Sequence, residues 1–277
     1  MNNRRIVICL DGTWNNTYTE EERDDGSKVL KPSNVLKLAR AVLPYDVEND
    51  CHQLVYYHTG VGGMSEYPGL SNKLLQFVDK NLGGGWGAGF ESNIEDAITF
   101  LVHNYHTVPN RTPNIKNADQ IYIYGFSRGA ANARALTQFI DWMGGIPVRQ
   151  DAYYIPIFLK AYVQSQGKQT VDSVKKAIRD NAGGKPITLQ SMQKIEITML
   201  GVWDTVMALG SKLVNRARRT FHSNPQPPAC VKHVYHALAV DENRTDFLPE
   251  IWQQAAPDRT LSQMWFPGVH SNIGMNT

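Results

Sequence analysis

Hydrophobic positions along the chain fall into two alternating patterns. Short continuous runs rich in Ile, Val, Tyr and Leu, bounded by Gly, Asp or Asn, predict strands at Arg5 to Leu10, Gln53 to Thr59, Gln120 to Tyr124, Ile195 to Trp203 and Ser262 to Phe266. Between them, apolar residues recur at helical spacing over Val35 to Val42, Leu70 to Val78, Ile94 to Tyr105, Ala130 to Met143, Val171 to Ile178 and Val231 to Val240. Apolar strands separated by amphipathic helices predict a mainly parallel α/β sheet with helices on both faces, because crossover helices shield such a sheet from water. Thr19 to Asp25 is nearly all charge and reads as a solvated loop before a helix opened by Pro32, Ser33 and Asn34. The glycines from Gly83 to Gly89 around Trp86 follow a helical run and lack a Walker lysine, so they read as a wide turn rather than a phosphate cradle. Residues 144–194 make a longer excursion carrying Tyr153, Tyr154, Phe158 and Tyr162, which predicts either a lid over a site or helices packed on their own aromatic residues.

Composition narrows the class. With 28 Lys plus Arg against 26 Asp plus Glu the net charge is +2, which lacks the basic excess of a nucleic-acid binder. A chain of 277 residues that is 42% hydrophobic can bury one large core, so general disorder is excluded and a single domain over 1–277 is expected. No apolar run approaches the roughly 18 residues of a membrane span, and the first one stops at Asp11, too short for a signal peptide. Cys9, Cys51 and Cys230 are widely spaced and form no Cys-x-x-Cys pair, which fits a reducing, cytoplasmic site of synthesis.

The sharpest chemical signal is Gly125-Phe126-Ser127-Arg128-Gly129, directly after one predicted strand and directly before a predicted helix. A serine on such a turn is exposed above the sheet, and the Arg128 backbone N–H at the helix start can stabilise an oxyanion. A serine hydroxyl needs an imidazole to take its proton and a carboxylate to orient that imidazole. Asp204 follows a predicted strand at the carboxyl end, where open α/β sheets place their sites, whereas Asp241 and Asp246 read as surface carboxylates. Of His222, His233, His236 and His270 downstream, only His270 sits in a loop after a predicted strand, which makes it the candidate base. Gly12 or Thr13, in the loop after the first strand, is the candidate second oxyanion donor, with an Asp-Gly turn as the plainer account. The pairs His233/His236 and His103/His106 have helical spacing but no carboxylate or cysteine to complete a metal site. This chemistry needs no metal and no organic cofactor. A rival enzyme class is a haloacid-dehalogenase-like phosphatase with Asp11 as nucleophile, weakened by Thr13 where a second aspartate is expected. A non-enzymatic rival is a binding module on an inactive hydrolase fold.

Six blocks in one order resemble a known family. They are Cys9 to Asn15, Tyr56 to Gly62, Gly125 to Arg134, Gly201 to Val206, His236 to Arg244 and Trp265 to Ser271. Together they resemble the α/β-hydrolase family that includes phospholipase effectors of bacterial type VI secretion, from about Arg5 to Gly274. The resemblance implies an α/β-hydrolase module acting on ester bonds, with Ser127, Asp204 and His270 where that family carries its triad. It also implies a phospholipid substrate at a membrane surface, export by the secretion machinery and an immunity protein as partner. After His270-Ser271 the chain has Asn272 to Thr277 where an acidic residue, a glycine run and a helix are expected, which predicts a fragment, a compact relative or an inactive remnant.

Overall fold

A computed structural model describes residues 4–12, 20–23, 25–60, 85–106, 118–181, 189–207, 220–221 and 224–275. Its centre is a seven-stranded sheet of order β4-β5-β1-β6-β7-β8-β9. The strands are β1 (Arg5–Leu10), β4 (Tyr45–Asp46), β5 (Cys51–His58), β6 (Gln120–Phe126), β7 (Ile197–Trp203), β8 (Val231–Ala239) and β9 (Thr260–Phe266). Within this sheet β4 pairs antiparallel with β5, and its other pairs are parallel.

The alternation of side chains assigns each face. On β1, Ile6, Ile8 and Leu10 enter the main core with α2 (Gly85–Asn104) and α3 (Arg128–Met143), while Val7 and Cys9 pack with α1 (Asn34–Ala41) on the opposite face. Helix α1 starts where the Ser33 hydroxyl accepts the Leu36 N–H at 3.0 Å. Within 144–194, a short 3₁₀ turn leads into α4 (Ile155–Ser165), which packs on α2, and α5 (Val171–Asp180) packs on α4. Phe158 and Tyr162 are buried in the main core, and Tyr162 meets Trp142 and Phe221 with ring centroids 5.0 and 5.1 Å apart.

Three expectations need correction. Val231–Ala239 is a strand, not a helix. Val231, Val234 and Leu238 mimic helical spacing, but buried His236 completes an alternation with Val234 and Leu238 that a hydropathy pattern counts as broken. Glu20–Glu22 (β2) pairs antiparallel with Lys28–Leu30 (β3), so the charged stretch is one arm of a small hairpin turning through Gly26 at φ 78°. Gly85, Gly87 and Gly89 open helix α2 rather than a turn, because the same helix buries Ile94, Ala97, Ile98 and Leu101 and tertiary packing outweighs poor glycine propensity. The expected helix Leu70 to Val78 lies outside the described residues.

Candidate active site

Ser127 joins β6 to α3 with φ 55° and ψ −120°, a conformation L-residues rarely adopt and that costs about 1–3 kcal/mol. The turn is held by Ser127 N–H donating to the Trp203 carbonyl at 3.0 Å and by Ala131 N–H donating to the Ser127 carbonyl at 3.2 Å. Both flanking glycines are required by space. A Cβ on Gly129 would lie 2.1 Å from the Leu10 carbonyl oxygen, and one on Gly125 would lie 2.5 Å from the Gly129 carbonyl oxygen.

The structure brings Ser127, His270 and Asp204 into one line of contacts. His270 Nε2 lies 2.8 Å from Ser127 Oγ, and His270 Nδ1 lies 2.5 Å from Asp204 Oδ2. Asp204 Oδ1 accepts the Ala239 N–H at 3.0 Å, so both carboxylate oxygens act as acceptors. The ring Nδ1 therefore donates, and Nε2 is left to accept the serine proton. Asp204 is fully buried, and Ser127 and His270 are buried too, at 8% and 7% exposed. Asp204 leaves β7 with φ 40°, a left-handed conformation that aspartate tolerates better than most residues.

His270 opens α6 (His270–Gly274), a single turn after β9, where the sequence suggests a loop and no following helix. Gly268 at φ 109° and the Asn272 side chain, whose Oδ1 accepts the Val269 N–H at 2.9 Å, shape this entry. The imidazole stacks on Phe126 with centroids 4.8 Å apart and meets Phe247 edge-on at 5.0 Å. Glu242 Oε2 accepts the His270 backbone N–H at 3.2 Å and the Arg244 Nη2–H at 2.6 Å, and the Arg244 guanidinium covers Phe247 at 3.8 Å. Those bonds from Arg244 hold the Glu242 carboxyl down at about 2. Asp241, which the sequence reads as a surface carboxylate, is exposed but also accepts the Gly268 N–H at 2.6 Å and so secures the same loop. The Asp241-Glu242-Asn243-Arg244 run was the available signal for this clamp, hidden by the helical reading of the segment before it.

Of the oxyanion candidates, Arg128 is the first residue of α3, where backbone N–H groups have no intrahelical acceptor. Gly12 N–H donates to Asp11 Oδ1 at 2.7 Å, and Thr13 lies outside the described residues. Asp11 Oδ2 also accepts from Ser33 Oγ at 2.5 Å and Tyr57 Oη at 2.8 Å. The rival nucleophile is thus a buried acceptor that joins the ends of β1 and β5 to the start of α1.

A family model described as "T6SS, Phospholipase effector Tle1-like, catalytic domain" matches residues 4–277. The chain belongs to this family. It is 24% identical over 250 residues to an uncharacterised protein of Saccharomyces cerevisiae, covering 88% of this chain and 32% of that protein. A solved structure of an uncharacterised protein from Pseudomonas aeruginosa is similar at 19% identity and TM-score 0.47, covering 100% of this chain and 42% of that one. A structure of the Tle1 effector bound to the VgrG spike of the type 6 secretion system is similar at 19% identity and TM-score 0.45, covering 99% of this chain and 51% of that one. The chain therefore spans about a third to a half of the length of these relatives. The Tle1-like chain has an α/β-hydrolase-like fold, with a mainly parallel sheet and Ser127 on the strand-to-helix turn.

The other candidate histidines of this Tle1-like domain that are described lie on β8 and at the end of α2. His233 and His236 lie on β8, where a spacing of three points them to opposite faces, so they cannot share an ion. His103 and His106 are exposed at the end of α2, and His222 lies outside the described residues. Among the described residues no cluster of three or more His, Cys, Asp or Glu could hold a metal, and no helix is long and apolar enough to cross a membrane.

Proposed function

We propose that this domain hydrolyses carboxylic esters of phospholipids through a covalent acyl-serine, with Ser127 as nucleophile, His270 as general base and acid, and Asp204 as the group that orients His270. The observation that carries the reading is the unbroken contact line from Ser127 Oγ to His270 Nε2 at 2.8 Å and from His270 Nδ1 to Asp204 Oδ2 at 2.5 Å.

As Ser127 Oγ bonds to the acyl carbon, His270 Nε2 takes its proton and Asp204 faces the resulting imidazolium. The carbonyl oxygen becomes an oxyanion beside the Arg128 N–H. Each well-placed donor there lowers the barrier by about 3 kcal/mol. A contribution from Gly12 requires its N–H to turn from Asp11 Oδ1, and Thr13 is the alternative donor that the sequence offers. Collapse breaks the bond to the leaving alcohol, which receives the proton from His270. Water then attacks the acyl-enzyme as His270 takes its proton; the bond from the acyl carbon to Ser127 Oγ breaks, His270 returns the proton to Oγ, and the acid is released. The phospholipid ester and delivery by type VI secretion are supported by the family's description; a membrane surface and an immunity partner belong to this proposal on the sequence resemblance alone.

Ser127→Ala is expected to abolish both hydrolysis of a short nitrophenyl ester and labelling by a fluorophosphonate, with an unchanged circular dichroism spectrum. Labelling that survives the substitution overturns the assignment. Loss of ester hydrolysis should be matched on vesicles of phosphatidylcholine or phosphatidylethanolamine, assayed by release of fatty acid.

A further inference from the structure

His236 is a buried ionisable group that the reaction above does not use, and the neighbouring elements converge on it. It is 2% exposed on β8, on the face turned to the main core. Its Nε2 accepts the Thr205 backbone N–H at 3.2 Å, with Thr205 Oγ1 also 3.2 Å away. Because Nε2 is an acceptor, the ring proton resides on Nδ1. The opposite side is closed by Trp252, edge-on with centroids 5.8 Å apart, and the Arg134 guanidinium lies 3.7 Å above the Trp252 ring while donating to the Glu250 carbonyl. Burial first, and then the Arg134 charge, push the imidazole down to about 3, so it is neutral wherever the enzyme would work.

What His236 grips is the segment that carries Asp204. Thr205 follows Asp204, whose left-handed backbone at φ 40° has no intrinsic preference to persist. Three further bonds from other elements converge on the same segment: Asp204 N–H to Ala237 O at 2.8 Å, Glu250 N–H to Thr205 O at 3.0 Å and Val206 N–H to Ser127 O at 3.3 Å. Among the described residues, His236 supplies the side chain that accepts the Thr205 amide, holding that peptide in the orientation in which Asp204 meets His270.

We propose that His236 is a positioning residue for hydrolysis: by accepting the Thr205 amide, Nε2 fixes the Asp204 backbone so that its carboxylate meets His270 Nδ1. The proposal rests on the serine-hydrolase reading. A merely space-filling role would let any apolar residue of similar size keep the reaction rate once the protein folds.

The test compares wild type with His236→Leu and His236→Gln by steady-state kinetics on a short nitrophenyl ester and by proton NMR of the low-field His270 Nδ1–H. Leucine fills the site without an acceptor, whereas the glutamine oxygen reaches the place of Nε2. His236→Leu is expected to lower kcat about thirtyfold with KM changed less than about twofold, and to lose the low-field resonance. His236→Gln is expected to return kcat to within about fivefold of wild type and to restore the resonance. If the leucine variant does not fold, His236→Asn, whose oxygen falls short of the Thr205 amide, takes its place with the same expected loss. Wild-type kcat and resonance in a folded variant without the acceptor overturn the proposal. So does an equal loss in the glutamine variant that follows its Tm. A wild type that neither hydrolyses the ester nor reacts with fluorophosphonate overturns the hydrolase reading alone, and the resonance then decides the role of His236.

Discussion

Asp11 and Asp204 are both buried aspartates at the carboxyl end of a central strand, yet their neighbours give them different work. Asp11 accepts from Ser33, Tyr57 and Gly12 and ties three elements together. Asp204 spends one oxygen on the Ala239 amide and keeps the other for His270. The same contrast separates the histidines, since His270 bridges Ser127 and Asp204 while His236 is a neutral acceptor for the Thr205 amide. His236 sets a pH dependence of stability whose sign follows from its lowered value. The folded ring titrates near 3 and the unfolded one near 6.5, so between these the unfolded state binds more protons. This contribution is complete above about 6.5 and is lost as pH falls through the window, amounting to roughly 5 kcal/mol across all of it. Thermal melts from pH 3 to 7 are expected to show a shallower rise of Tm with pH in His236→Gln than in wild type. Parallel curves would contradict a buried neutral imidazole.

At the scale of elements, the turn between β6 and α3 is where local sequence and tertiary contact agree most closely. Gly129 touches the end of β1, so the turn can form only where the helix start meets that strand. Gly129→Ala is expected to cost several kcal/mol, about 3 or more, because its neighbours are backbone atoms that cannot move alone. Gly144→Ala, at φ 70° with open space around it, should cost only about 1–2 kcal/mol from backbone strain. Chemical denaturation of the two variants checks the difference. The turn was legible in the sequence because its signature is five consecutive residues between a strand and a helix. Strand β8 was not, because the burial that makes His236 part of a core face comes from β7, β9 and the 250–252 segment, none of which is local. The glycine-rich start of α2 was misread for a related reason, as its helical state is imposed by packing farther along the same helix.

Across the whole molecule, the parallel order of β6, β7 and β9 brings the ends of three strands to one rim, where Ser127, Asp204 and His270 meet. The same order leaves a second feature. Tyr124, Gly201, Trp203, Tyr235, Met264 and Phe266 line an apolar groove of about 170 Å³ on the sheet face opposite α3. Tyr235, Met264 and Phe266 are exposed there, more apolar surface than a helix-covered sheet would leave. The groove is expected to enhance the fluorescence of an anilinonaphthalene dye, and Met264→Lys to reduce that enhancement by at least about half while the fold persists. Equal fluorescence in the two proteins would place the dye elsewhere.

The sequence alone determined which residues could take part: a serine on a tight turn, an aspartate ending a strand and a histidine in the loop after a strand are local patterns of residue type and order. It also determined much of the alternation of strands and helices, strand β8 excepted, since periodic burial is written into neighbouring residues. Only the tertiary structure decided which of these meet. His270 lies 66 positions from Asp204 and 143 from Ser127, and their contact depends on strand order and register. The shell that steadies them, Glu242 and Arg244 on His270 and His236 on Thr205, was likewise decided there. Hydrogen bonds between distant groups are satisfied in three dimensions, and no window of sequence specifies them.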